Sequence, residues 1–143
     1  METQAAKILI VDDDTAFQGM LREAVGEKGF AVESAYSAEE GIERASGEAF
    51  DLVLLDVRLP GMTGIEAIPR FREVSPSTEI IIMTGYAEKD SAVQAIRRGA
   101  YDYFTKPFSL SEMEIVIRRA LEKRRLQRQV SSLRRVLDRE GPL

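Results

Sequence analysis

Three consecutive aspartates, Asp12, Asp13 and Asp14, follow the apolar run KILIV (Lys7–Val11). A lone Asp56 closes LVLL (Leu52–Leu55), Thr84 closes EIIIM (Glu79–Met83), and Lys106 follows the segment Tyr101–Thr105. Carboxylates crowded together raise one another's pKa, and a hard divalent cation relieves that repulsion. With oxygen ligands only and no histidine in the chain, the cation expected is Mg2+, with Mn2+ as the alternative. Magnesium keeps several waters and takes one or two carboxylates together with a phosphate oxygen. A cation, an ammonium and a hydroxyl converging on one carboxylate are what phosphoryl transfer to that carboxylate needs, because they neutralise and orient the equatorial oxygens. Each piece alone has a plainer reading. Asp-Asp-Asp after a strand can form a turn and cap a helix, and Thr84-Gly85 and Lys106-Pro107 can be simple loops. Tyr103 can be a residue that merely favours an edge strand. The joint placement of the polar residues at successive strand ends makes phosphoryl chemistry the expectation.

The elements that must position these residues can be read from short apolar runs alternating with helical patterns. Lys7–Val11, Leu52–Leu55 and Glu79–Met83 are nearly continuous apolar runs, suited to parallel strands covered on both faces. Ala31–Tyr36 and Tyr101–Thr105 read as weaker, edge-like strands. Phe17, Met20, Leu21, Ala24 and Val25 follow helical spacing up to Gly29. Ser37 with Glu40 and Ser109 with Glu112 are capping-box pairs, and Ala92, Val93 and Ile96 mark a helix stopped by Gly99. A further helix is expected over 64–74, with Pro69 inside it either kinking it or delaying its start. Strict β-α alternation predicts an α/β fold: a five-stranded parallel, doubly wound sheet, flavodoxin-like in order 2-1-3-4-5, with an extended C-terminal helix. The ligand crevice then lies outside the carboxyl ends of strands 1 and 3, where Asp12, Asp13 and Asp56 fall.

Composition narrows the chemistry further. The 143 residues include no Cys and no His, which excludes a disulfide scaffold, a Cys/His zinc site, a thiol nucleophile and a histidine-assisted triad. The formal charge of −4 divides unevenly. Residues 1–117 carry 21 acids against 11 bases, or −10, and residues 118–143 carry three acids against nine bases, or +6. Neither a signal peptide nor an 18-residue apolar stretch is present, so a cytoplasmic protein making no membrane contact is expected.

The segments ILIVDDD (8–14), DLVLLDVRLPGMTG (51–64), EIIIMTGYA (79–87) and AYDYFTKPF (100–108) resemble the response-regulator receiver domain of two-component signalling. The resemblance runs from residue 7 to about 122 and implies a division into a receiver, 1–122, and a helical linker, 123–143. It implies that Asp56 is the phosphoacceptor and that Asp12, Asp13, Asp56 and the backbone carbonyl of Arg58 hold Mg2+. Thr84 and Lys106 would bind phosphoryl oxygens, Thr84 and Tyr103 would form the switch pair, and Lys106-Pro107 would be cis. The donor would be a phosphohistidine on a partner sensor histidine kinase, the chain catalysing only its own phosphotransfer and dephosphorylation. The switch would act through the surface of helix 4, strand 5 and helix 5. Arg58 and Tyr86 are the bulky residues expected to limit water access and slow the reset.

The basic tail runs on from helix 5 without Pro or Gly until Gly141. Leu126, Val130, Leu133 and Leu137 fall at 4-3-4 spacing, a seam of about two heptads out of phase with Met113, Ile117 and Ala120. A frayed, solvated tail and a DNA-binding basic helix are the competing readings, the first because two heptads alone are marginal. The favoured reading is a homodimer through a parallel coiled-coil linker. The segment is similar to the linker after receivers of NtrC-type transcriptional activators. No Walker motif is present, so an output domain would lie beyond Leu143 or on another molecule, and contact with DNA would be indirect.

Two other functions share part of this pattern. A phosphohydrolase of the haloacid-dehalogenase type also uses a nucleophilic Asp, but its D-x-D-x-[TV] pattern would place Ala16 where Thr or Val belongs. Its nucleophile also follows strand 1, not strand 3. A phosphorylation-independent interaction module would have no need of Asp12, Asp13, Asp56, Thr84 and Lys106 together.

Overall fold

The computed structural model describes residues 5–85 and 89–140. The elements alternate as β1 (Lys7–Val11), α1 (Thr15–Glu27), β2 (Ala31–Ala35), α2 (Ala38–Gly47), β3 (Leu52–Asp56), α3 (Gly64–Val74), β4 (Glu79–Thr84), α4 (Lys89–Arg97), β5 (Asp102–Thr105) and α5 (Leu110–Glu140). All pairings are parallel and the strand order is β2-β1-β3-β4-β5, with the two weak strands at the edges.

Successive residues of a strand face opposite sides of the sheet, so the continuous apolar runs feed two cores at once. Leu9, Val11, Val53, Leu55, Ile80 and Ile82 meet Ile65, Ile68 and Phe71 of α3 and Ala95 of α4 on one side. Ile8, Ile10, Leu52, Leu54, Ile81 and Met83 meet Leu21 and Val25 of α1 and Met113, Ile117 and Ala120 of α5 on the other. Ala92, Val93 and Ile96 lie in α4, as their helical spacing predicts; Val93 and Ile96 remain 52% and 43% exposed, and Ala92 and Ala95 are its buried contacts.

Helix starts follow local capping chemistry. Asp14 Oδ1 accepts from the N–H groups of Ala16 and Phe17, so the third aspartate of the run caps α1. Ser37 Oγ accepts from Glu40, and Glu40 returns its carboxylate to the Tyr36 N–H, one residue before the cap. A complete capping box joins Thr63 and Glu66, and it starts α3 at Gly64 with Pro69 contained inside the helix. The start is therefore not delayed by the proline. Gly29 and Gly99 have φ of 95° and 114°, the left-handed conformation that closes α1 and α4.

The long helix α5 packs on the sheet as far as Ala120 and is then held by charge at the amino-terminal sheet edge. Arg124, 6% exposed, donates from Nε to Ser77 O at 2.8 Å and from Nη1 to Asp51 Oδ1 at 2.5 Å. Lys123 Nζ lies 3.0 Å from Glu79 Oε2, and Arg72 Nη2 lies 3.5 Å from the other oxygen of that buried carboxylate. Beyond this clasp Leu126, Val130, Leu133 and Leu137 are 47–66% exposed. No helix among the described residues is long and apolar enough to cross a membrane.

Candidate functional site

Parallel strand register brings the polar strand ends to one edge. Asp12 is the residue after β1, Asp56 ends β3, Thr84 ends β4 and Lys106 follows β5. One carboxylate oxygen from each of Asp12, Asp13 and Asp56 lies within 4.8 Å of the other two. Asp12 is fully buried, Asp56 is 8% exposed and Asp13 is open to solvent. This matches a cation site with two walls of protein and one of water, the arrangement that magnesium accepts.

Lys106 bridges the carboxylates. Its Nζ lies 3.0 Å from Asp12 Oδ2, 3.7 Å from Asp56 Oδ2 and 4.2 Å from the centroid of the Phe17 ring. The Lys106-Pro107 bond is cis. Asp56 Oδ1 accepts from the Arg58 N–H at 3.3 Å, so the Arg58 backbone is tied to the cluster. Burial, and after it the Asp12 charge, push the Asp56 carboxyl up to about 6 from 3.8. Lys106 and the Arg58 N–H pull in the opposite direction without cancelling that rise. Three carboxylates against one ammonium leave the cluster two charges short of neutrality, a deficit that a divalent cation fills. The donor set fits Mg2+, which would be held by Asp12, Asp13 and Asp56.

The segment after β3 is pressed close to the site. Gly64 N–H donates to Val57 O at 2.9 Å, and a Cβ at Gly64 would stand 2.2 Å from the Asp56 carbonyl oxygen. Only glycine permits this approach.

Thr84 and Tyr103 occupy the neighbouring region. Thr84 is 2% exposed and its Oγ1 donates to Phe104 O on β5 at 3.3 Å, so the hydroxyl proton is engaged away from the carboxylates. Tyr103 is 44% exposed. Both line a groove of about 730 Å3 between α4 and β5, with Ala92, Val93, Ile96 and Arg97. Tyr86, expected to screen the site from water, lies outside the described residues.

Sequence reading missed one residue of the site. Gln18 is 1% exposed, and its Nε2 lies within 3.1 Å of three carbonyl oxygens, those of Ile10, Asp12 and Ala35. The signal available was phase: Gln18 precedes Leu21 and Val25 by helical steps and so shares their inward face.

Comparison with known proteins agrees with this geometry. Residues 8–118 match the family model described as the response regulator receiver domain. The chain is 36% identical over 135 residues to the regulatory protein AtoC of Escherichia coli, covering 94% of this chain and 29% of AtoC. It is 31% identical over 126 residues to the DNA-binding transcriptional regulator NtrC of the same organism, covering 88% and 27%. The chain thus spans less than a third of these relatives. Among solved structures, NtrX from Brucella abortus superposes with a TM-score of 0.85 at 33% identity, over 90% of this chain and 29% of that one. A receiver domain protein from Methanospirillum hungatei gives 0.82 at 32% identity, over 86% of this chain and 98% of its own. With a family match over most of its length, the chain belongs to the response regulator receiver domain family.

Proposed function

We propose that this domain is a phosphorylation-driven switch in which the Asp56 carboxylate takes a phosphoryl group from a phosphohistidine on a sensor histidine kinase. The observation that carries the reading is Asp56 itself, buried at the end of β3, raised to about 6 and 3.7 Å from the Lys106 ammonium. A carboxylate oxygen of Asp56 attacks phosphorus, the P–N bond to the kinase imidazole breaks, and the departing nitrogen takes up a proton. Mg2+, when bound by Asp12, Asp13, Asp56 and the Arg58 carbonyl, supplies positive charge against the phosphoryl oxygens. The rest of the work belongs to positioning. Lys106 Nζ stands between Asp12 and Asp56, where it meets a phosphoryl oxygen as charge accumulates. Little proton chemistry is required, so orientation and neutralisation supply most of the acceleration.

The acyl phosphate adds about −1.5 to −2 charges and new acceptor oxygens beside Thr84. Turning Thr84 Oγ1 from Phe104 O to the phosphoryl group vacates the space that the exposed Tyr103 ring can fill. The α4-β5-α5 surface then has two arrangements, and phosphorylation biases them by its differential interaction with each. Residues 1–122 act as the receiver and 123–143 as a linker that pairs with a second copy through Leu126, Val130, Leu133 and Leu137. Their exposure supports this reading, since an unpartnered apolar stripe on a helix favours a matching stripe. Contact with DNA belongs to an output domain outside this chain, and the site of action is the cytoplasm.

The test is intact-mass spectrometry after incubation with a small acyl-phosphate donor and Mg2+. One phosphoryl group per chain, absent with EDTA and absent in Asp56→Asn, is expected. Multiple turnovers on a phosphomonoester without a labelled intermediate would instead favour a phosphohydrolase.

A further inference from the structure

Every polar atom of Asp12 is engaged. Its N–H donates to Ala35 O at 3.1 Å, its Oδ1 accepts from the Asp14 N–H at 2.9 Å, and its Oδ2 faces Lys106 Nζ at 3.0 Å. Its carbonyl oxygen accepts from Gln18 Nε2 at 3.1 Å. Three of these partners are backbone groups or a residue of the site, and the fourth is an amide side chain on the buried face of α1.

The Gln18 amide is arranged as a staple. Its Nε2 has two hydrogens and faces three carbonyls: Ile10 O at 2.9 Å on β1, Ala35 O at 2.8 Å on β2, and Asp12 O. The β1 and β2 ends separate just here, because Val11 and Ala35 are the last paired residues. Past that point the Asp12 peptide would have no ladder partner for its carbonyl. Gln18 Oε1 is buried and has no donor among the described residues. Buried polar atoms without partners are rare and costly, so the side chain is held in this orientation by its donors alone.

We propose that Gln18 is a positioning residue for the cation site, fixing the Asp12 main chain so that the carboxylate is presented to Mg2+ in one orientation. The proposal rests on the receiver reading of the site. It assigns to α1 a role besides covering the sheet: the first turn of that helix reaches beneath the acidic cluster and sets its geometry. Residues that orient metal ligands in this way change metal affinity by about 10- to 100-fold when replaced.

The experiment is calorimetric titration of the whole chain with MgCl2, comparing wild type, Gln18→Met and Leu21→Ala. Met fills the same space and offers no donor, whereas Leu21→Ala loosens the same helix at a fully buried position away from the cluster. The expected result is a Mg2+ Kd weakened about 10-fold or more in Gln18→Met and unchanged within about twofold in Leu21→Ala. A Gln18→Met Kd equal to that of wild type overturns the proposal, as does equal weakening in both variants, which would indicate general loosening. Should Gln18→Met fail to fold, Gln18→Asn, one methylene short of the three carbonyls, is expected to show the same weakening, and a wild-type Kd there overturns it. If the wild-type chain binds no Mg2+ at all, the reading of the cluster as a cation site falls first, and this role falls with it.

Discussion

Replacing Asp56 with Asn should stabilise the cation-free domain, and the gain should depend on pH in a defined direction. In the folded chain this carboxyl titrates at about 6 against an ordinary 3.8, since burial and the Asp12 charge both disfavour the ionised form. A carboxyl raised on folding binds protons more tightly in the folded chain than in the unfolded one. Stability is therefore highest below 3.8 and declines as pH rises through the interval to about 6, after which the full penalty is present. At about 1.4 kcal/mol per pH unit, the interval from 3.8 to about 6 amounts to about 3 kcal/mol. The favourable effects of Lys106 and the Arg58 N–H are already contained in that figure, because both lower the value. Asp56→Asn keeps the shape and removes the charge. In EDTA at about pH 7.5 it should exceed wild type by about 3 kcal/mol, or about 10 °C in Tm for a domain of this size. The gap should shrink steadily towards about pH 4, where both side chains are neutral in the folded state. Adding Mg2+ should narrow it at neutral pH, because the cation binds the wild-type cluster more tightly and stabilises it by mass action. Urea denaturation across the pH series is the assay. A gap that is independent of pH, or one favouring wild type at neutral pH in EDTA, would refute the burial argument.

Three further outcomes are expected. Thr84→Ala should still accept a phosphoryl group on Asp56 yet show no change in the α4-β5-α5 surface by hydrogen exchange, and a full response would rule out the Thr84–Tyr103 coupling. Leu133→Asp places a charge in the centre of the proposed seam and should shift the chain to monomer in sedimentation velocity, while an unchanged mass would remove the seam from the dimer. Arg124→Ala leaves Asp51 without its buried partner and should cost about 2–3 kcal/mol in urea denaturation; a loss below about 0.5 kcal/mol would mean the clasp holds nothing.

The fold was legible because its strongest signals are local. Continuous apolar runs identify central strands, alternation with amphipathic stretches dictates parallel crossovers, and the crossover rule leaves few strand orders. Asp12, Asp13, Asp56 and Lys106 could be placed together because each ends or follows a strand, and parallel strands bring such ends to one edge. What escaped was polar chemistry inside the apolar pattern. Gln18 and Arg124 sit in phase with Leu21 and Val25, and with Ile117 and Ala120, on faces that pack inward. Apolar periodicity passes over such residues, and only three-dimensional contact reveals which carbonyl or carboxylate each one meets. The Thr63–Glu66 capping box is present in the sequence too, and it outweighs the proline in deciding where α3 begins. Helical spacing located α4 through Ala92, Val93 and Ile96, but spacing alone does not say which face packs inward, and Val93 and Ile96 are turned outward.

The clasp at Lys123 and Arg124 stands at the end of the sheet opposite the acidic cluster, and it turns the remainder of α5 into a pointer. From Arg124 to Glu140 the helix extends about 24 Å at about 1.5 Å per residue. A rotation of α5 by about 5° about that anchorage sweeps the tip through about 2 Å, a distance comparable with the helix shifts that repack subunit interfaces. Angular changes too slight to disturb the core beneath α5 would thereby become displacement at the far end of the helix. The mechanical gain is set by the number of residues past the anchorage, so inserting or deleting a turn there would alter the stroke without touching the chemistry.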